Sequence, residues 1–299
     1  MKEKLLLSEI HMRDPFVFVD QKQQQYCLFG TTADGSKGRF EMYISDDLVN
    51  FKGPYVVFDL KDNDNFWGKE DLWAPEVYYV ESLKSYLMFA TFHSQDHKRN
   101  TVALITDDLY KHAFTLYSDK ITPSMMTNLD GTLFYEKQQP RIIFCHEWLE
   151  INDGSYVYGK LSQDLKQIEE DSLKVLFRAS EIPWSVSPSF SKNGNDYISD
   201  GPYVIKKGAC QFLLYSTFGE NGYQTGYCYT KNKWKSIHHS QEPLIEKNAG
   251  HSMVFTGFDH NDYIIYHANN DSPDVVPTIK RITIKKGGLF SKPRLIVAA

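Results

Sequence analysis

Short runs of alternating apolar and polar residues, separated by polar turns, fill the chain, and long stretches with a helical period are scarce. In a strand successive side chains point to opposite faces, so runs such as Phe16-Val17-Phe18-Val19 predict an all-β protein. The runs come in pairs. Taking Asp14, Ala74, Asp130, Asp200 and His251 as zero, a second apolar strand is under way twelve residues on, at Tyr26, Tyr86, Ile142, Phe212 and Tyr263. The zero residues are 60, 56, 70 and 51 residues apart. A second landmark, S/T-x-D-L, follows in three units as Ser45–Leu48, Thr106–Leu109 and Ser162–Leu165, with a degenerate version near Asn232-Lys233-Trp234. It reads as a structural turn between third and fourth strands. Five units of four strands predict a five-bladed β-propeller, one domain over residues 1–299, with its functional site at one mouth of the central channel. A two-sheet sandwich does not account for a spacing kept five times.

The propeller changes the meaning of the zero residues. First strands line the channel and run the same way, so Asp14, Ala74, Asp130, Asp200 and His251 are expected at one level near one mouth. Alone, the Asp14-Pro15 pair is a turn former. Three carboxylates in one small, partly dry space are costly, because like charges repel and burial strips their water. Such clusters suit a hard cation or acid–base catalysis. Hydrolysis of a glycoside with inversion wants two carboxyl groups about 6.5–9.5 Å apart, and a third nearby keeps the acid protonated.

The second strands return to the same mouth and are expected to bring Thr31, Thr32, Phe92, His93, Glu147, Trp148, Phe218, His267 and Asn269 to the rim, with Trp73 beside Ala74. Mixed rings and amides stack on sugar faces and bond their hydroxyls. Each ring taken singly serves packing as readily as ligand contact. Glu76, two positions after Ala74, is expected to face the channel as a ligand contact or a hydrogen-bonded structural acid. An aromatic content of 14% supports both strands and ring platforms, whereas a net charge of −5 without a basic block argues against nucleic acid. No apolar run is long enough for a membrane helix, and the N-terminal stretch lacks a signal peptide's apolar core. A cytoplasmic protein is expected, or a secreted one whose leader has been removed. Cys27, Cys145, Cys210 and Cys228 form no C-x-x-C pair and read as buried free thiols. "GHSMV" lacks the last glycine of a nucleophile elbow, and "DGSKGRF" lacks phosphate-loop spacing.

The segments "RDPFVF", "WAPEV", "LDGTLF", "SDGPYV" and "GHSMVF", in that order and spacing, resemble the blade-opening motifs of glycoside hydrolase family 43 from about residue 10 to the end. The resemblance implies an inverting glycosidase acting on arabinose- or xylose-containing oligosaccharides. Exo action on short, imported oligosaccharides is expected because no leader or carbohydrate-binding domain is recognised in the sequence, and a monomer is the default expectation. The resemblance also implies that Asp14 is the general base, that Asp130 orients the acid and raises its pKa, and that the blade-four residue, Asp200, is the acid. His251 would lie in the channel, where many members hold a calcium ion or an ordered water; no cofactor is required. One residue departs from the pattern: the family has Glu where this chain has Asp200. The missing methylene leaves three alternatives: a backbone moved inward, another acid such as Glu147 or Glu220, or a propeller that binds sugar and cuts it poorly. Phosphorolysis ranks below these, since only Arg13 offers a cation beside the zero residues.

Overall fold

The computed structural model describes residues 4–32, 38–192, 194–287 and 292–298. Its strands form five separate antiparallel sheets, each from consecutive chain. Blade one contains Met12–Asp20, Gln25–Thr32, Arg39–Ser45 and Asn50–Asp59, with Leu5–Leu6 added to its outer edge. Blade two runs from Glu70–Val80 to Thr115–Ser118, and blade three from Asn128–Glu136 to Ile168–Arg178. Blade four runs from Asp200–Lys207 to His238–His239, and blade five from Ala249–Thr256 to Arg294–Val297. The predicted five-bladed propeller is the observed fold.

The second strand of each blade is covered by strands on both edges and by neighbouring blades on both faces. It therefore reads as an unbroken apolar run, as in Phe212-Leu213-Leu214-Tyr215, all fully buried. The aromatic excess fills the wedges between blades. Phe92 shows this: it is fully buried, with Phe40, Phe58 and Phe66 edge-on at 5.8, 5.7 and 4.9 Å. Edge-to-face contact satisfies the ring quadrupoles, and burying such a ring is worth about 1.5–3 kcal/mol. Phe92 is thus core and offers no face to a sugar. The four cysteines are buried and free, as expected.

Blades five and one meet through side chains. Arg13 donates from both terminal nitrogens to Asn270, to Oδ1 and to the backbone oxygen, each at 2.7 Å. The Phe258 N–H donates to the Tyr26 hydroxyl at 2.9 Å, and the two rings pack at 4.4 Å. The S/T-x-D-L segments are turns after third strands, closed by their own side chains: Ser45 Oγ accepts from the Asp47 and Leu48 N–H groups. Trp234 makes the degenerate version equivalent, its N–H donating to Thr230 Oγ1.

Every first strand carries a bulge in which two residues oppose one on the second strand. The first bulge residue has a positive φ in each blade: Asp14 (49°), Ala74 (47°), Asp130 (56°), Gly201 (53°) and His251 (52°). A bulge bends the strand and re-aims the side chain at it. This corrects one expectation. The blade-four member of the ring is Gly201, and Asp200 precedes it, in the register of Arg13, Trp73, Leu129 and Gly250. The twelve-residue ruler is not a structural equivalence either, because Tyr26 pairs five residues beyond its bulge at Val19, and Ile142 three beyond, at Leu133.

Candidate active site

The bulges leave backbone N–H groups turned toward the channel, and the preceding blade supplies their acceptors. Ala74 N–H donates to Thr31 Oγ1 at 2.8 Å, Asp130 N–H to Thr91 Oγ1 at 3.0 Å and His251 N–H to Ser216 Oγ at 2.8 Å. Asp14 N–H donates to His267 Nδ1 at 3.1 Å, which carries the ring across the blade five–blade one seam. Blade three holds Cys145 at the corresponding position, opposite Leu129, and a thiol is a weak acceptor. There Gly201 N–H turns to Asp130 Oδ2 instead, at 3.0 Å. Asp130 is thereby fixed by the strand that carries Asp200.

A cavity of about 350 Å³ opens over this ring. Asp14, Asp200, Trp73, Phe218, Tyr223 and Asn270 are among its walls. Asp14 accepts from the Thr31 hydroxyl at 2.6 Å and lies 3.1 Å from His251 Nδ1, which is also 3.9 Å from Asp130. Burial works to raise the Asp14 pKa, but the charge and hydrogen bond of His251, with His267 and Thr31, overcome it and hold Asp14 far below the usual carboxylate range. Burial likewise opposes a charge on His251, yet the carboxylates of Asp14 and Asp130 raise it to about 10. Asp14 and His251 therefore form an ion pair.

The remaining carboxyls go the other way. Asp130 is raised by burial and by repulsion from Asp14, against the pull of His251 and the Gly201 N–H. Asp200 is raised well above the ordinary value by burial, then by Asp130 and Asp14. One cation cannot neutralise three buried carboxylates, so a proton stays on the pair farthest from it. His267 is pushed down to about 4 by burial and is neutral. Its Nδ1 accepts from Asp14 N–H, so the ring proton sits on Nε2, 3.0 Å from Asn270 Oδ1.

Other expected residues scatter. Trp73 lines the cavity, with the Arg99 guanidinium 4.5 Å from its ring centre. Glu76 is buried in the channel wall and takes a hydrogen bond from Tyr78; burial lifts it to about 8 against that bond. It is not a wall of the cavity. Glu147 is buried in an ion pair with Arg99 and belongs to a second cavity, of about 560 Å³, with His93 and Lys98. Glu220 borders a third. Neither is among the walls of the cavity that Asp14 and Asp200 line. Asn269 is exposed and donates to Asp274 O within its own loop, so the expected rim amide is Asn270.

His251, expected to face a metal or ordered water, points Nδ1 at two carboxylates. Among the described residues no three His, Cys, Asp or Glu side chains gather as a metal-binding group.

Three residues escaped sequence reasoning. Tyr223 donates to Asp200 Oδ2 at 3.2 Å and stacks on His267, centres 5.5 Å apart and planes 4° from parallel. Asn270 joins Arg13 to His267. Phe190, 55% exposed, stands between Trp148 at 6.2 Å and Phe218 at 5.3 Å, so a row of rings leads out of the cavity. Its signal was the 70-residue interval between Asp130 and Asp200, the longest of the four, which marks extra rim loop.

Carboxyl groups whose pKa values are pushed in opposite directions face one cavity at a propeller mouth, an arrangement suited to acid–base chemistry on a glycoside. The chain belongs to the glycosyl hydrolases family 43, whose model matches residues 7–290. The endo-arabinase of Bacteroides thetaiotaomicron is 33% identical, covers 97% of this chain and 100% of its own, and superposes with a TM-score of 0.87. An endo-1,4-beta-xylanase of the same organism, 20% identical over 97% and 95% of the two chains, shares the fold at a TM-score of 0.76. The arabinan endo-1,5-alpha-L-arabinosidase A of Aspergillus niger is 26% identical over 217 residues, 71% of this chain and 60% of the relative. The chain thus matches less than two thirds of that curated relative's length.

Proposed function

We propose that the protein hydrolyses arabinose-containing oligosaccharides or polymers, α-1,5-linked arabinan first among them, with inversion at the anomeric carbon. The observation that carries this is the splitting of Asp14 from Asp200: two carboxyl groups on one cavity, one held ionised by His251 and one held protonated by burial and by its neighbours. Asp14 takes a proton from the water that attacks the anomeric carbon. Asp200 supplies the proton that the departing glycosidic oxygen needs, and Asp130 keeps that proton in place by repulsion. Both relatives named for arabinan are endo-acting, and the ring row from Phe218 to Trp148 gives a longer chain something to lie on. The proposal therefore moves from the expected exo action to internal cleavage, with xylan-type chains as the second substrate class.

The test is proton NMR and chromatography of the first products from α-1,5-arabino-oligosaccharides and xylo-oligosaccharides. Inverted product from the arabinan series, shortened from within the chain and absent for Asp14→Asn, is the expected result. Tight binding by calorimetry with no cleavage of either series would instead make the protein a sugar-binding propeller.

A further inference from the structure

Asp200 has a short side chain and a partner that the sequence did not reveal. Tyr223 begins the third strand of blade four, and its hydroxyl lies 3.2 Å from Asp200 Oδ2 on the wall of the same cavity. The ring has little freedom. It stacks on His267 at 5.5 Å, meets Phe218 edge-on at 5.6 Å and is buried. The space it occupies is kept open by Gly250: a Cβ there would stand 2.4 Å from Tyr223 Cε1. Such a fixed phenol, bonded to the acid and bordering the substrate space, needs a role.

We propose that Tyr223 is a catalytic residue that carries the proton of Asp200 to the leaving oxygen, making up for the shortness of the aspartate. The inference rests on the hydrolase reading above. A phenol oxygen both donates and accepts. While Asp200 is protonated its carboxyl O–H donates to the Tyr223 oxygen, and the phenolic hydrogen turns to the substrate. In the step, the carboxyl O–H bond breaks as its proton passes to the phenol oxygen. The phenolic O–H bond breaks as that proton passes to the glycosidic oxygen. The electron pair of the breaking anomeric carbon–oxygen bond goes to the same oxygen, which leaves as a hydroxyl. Water attacks the anomeric carbon and gives its spare proton to Asp14. Tyr223 ends neutral, Asp200 ends as a carboxylate, and solvent exchange returns both aspartates to their starting states. Burial and the surrounding carboxylates keep Tyr223 from ionising, so the phenol remains a carrier throughout.

The experiment compares wild type, Tyr223→Phe and the double variant Asp200→Glu/Tyr223→Phe on two substrates: an α-1,5-arabino-oligosaccharide and its 4-nitrophenyl glycoside. A nitrophenolate leaves without protonation; a sugar hydroxyl does not. Loss of general-acid help costs about a hundredfold or more. Tyr223→Phe is expected to lose about that factor in kcat on the oligosaccharide and less than about tenfold on the nitrophenyl glycoside. The double variant, with the longer acid, is expected to regain about tenfold or more on the oligosaccharide relative to Tyr223→Phe. Equal losses on both substrates, no loss on either, or no recovery with glutamate would overturn the relay while the hydrolase reading stands. Wild type inactive on both substrates would overturn the two together.

Discussion

Two groups of buried charge meet at Trp73, and they are balanced differently. On the rim between blades two and three, Arg99 is gripped by Asp71, with Nη2 at 2.6 Å and Nε at 3.1 Å from one carboxylate oxygen, and by Glu147 on its other side. The guanidinium fork gives each carboxylate its own donors, and His93 and Lys98 stand close by, paired with Asp71 and Glu150. At the channel mouth one imidazolium serves Asp14 and Asp130, and Asp200 has no cation within ion-pair distance among the described residues. In the first group each of Asp71, Glu147 and Glu150 has an arginine or lysine within ion-pair distance. The second sets three carboxylates against one imidazolium, two positive charges short of balance, which favours a proton retained on Asp130 or Asp200. Burial alone does not separate the two groups, since Glu147 and Asp200 are both raised by it. The supply of cations does.

The largest expected effect tests that contrast directly. Asp14→Asn and Asp200→Asn remove the proposed base and the proposed acid, and each is expected to lower kcat on the natural oligosaccharide by about a thousandfold, within the span of general acid–base contributions. Glu147→Gln, made in the first group, is expected to stay within about threefold of wild type while unfolding at lower urea. A thousandfold loss from Glu147→Gln would erase the distinction.

Stability reverses the ranking. Arg99→Met strands Glu147 in a buried place and frees Asp71, and breaking one partner of such a pair costs about 3 kcal/mol. Urea unfolding should show that loss, and Arg99→Met/Glu147→Gln should recover part of it, since the amide needs no counter-charge. Equal midpoints for the single and double variants would mean that the guanidinium contributes packing alone.

The unevenness of what the sequence disclosed follows from the same physics. Strand alternation repeats because every blade solves the same burial problem, so five units could be counted. Asp14 and Asp130 lie on bulge positions and were placed correctly. Asp200 was assigned to the ring because residue type was the guide, whereas the bulge is marked by backbone need. Aligning Pro15, Pro75 and Pro202 would have put Gly201 on the positive-φ position, which glycine takes without strain. Tyr223 and Asn270 were out of reach because their roles depend on hairpin length. The first hairpin turns span four residues in blade one, Gln21–Gln24, but two in blade three, Lys137–Gln138. No fixed spacing could lead from a bulge to its partner on another strand. Phe92 and Asn269 failed for a plainer reason: sequence gives the strand or loop, and packing decides which face or neighbour meets the cavity.

Glu76 is buried, forms no ion pair among the described residues, and is raised to about 8 by burial against the pull of Tyr78, Thr132 and His251. A carboxyl group whose folded pKa exceeds its unfolded value, 4.5, binds protons more tightly in the native state. Its contribution to stability is full below pH 4.5 and is lost as pH rises toward about 8. Glu76→Gln fixes the neutral form, so unfolding midpoints measured from pH 4.5 to pH 8 should fall less steeply in the variant than in wild type. Parallel curves would show that Glu76 is ionised in the folded protein, and that Tyr78, Thr132 and His251 together compensate its burial.

The smallest effect concerns the residue that joins the groups. Trp73 reaches the cavity while Arg99 lies on its ring, so the indole is the direct contact between the Arg99 network and the substrate space. Arg99→Lys keeps a positive charge but gives up the flat stacking surface and the fork to Asp71 and Glu147. A cation over an indole is worth about 0.5–1 kcal/mol at a partly open site, and lysine retains some of it. The ring is then held less firmly at the cavity wall, while Asp14, Asp200 and His251 are untouched. KM for the oligosaccharide is expected to rise about two- to fivefold, the factor corresponding to that energy, with kcat unchanged. A change in kcat instead would mean that the charge of Arg99 reaches the proton on Asp200, and that the two groups are one electrostatic system.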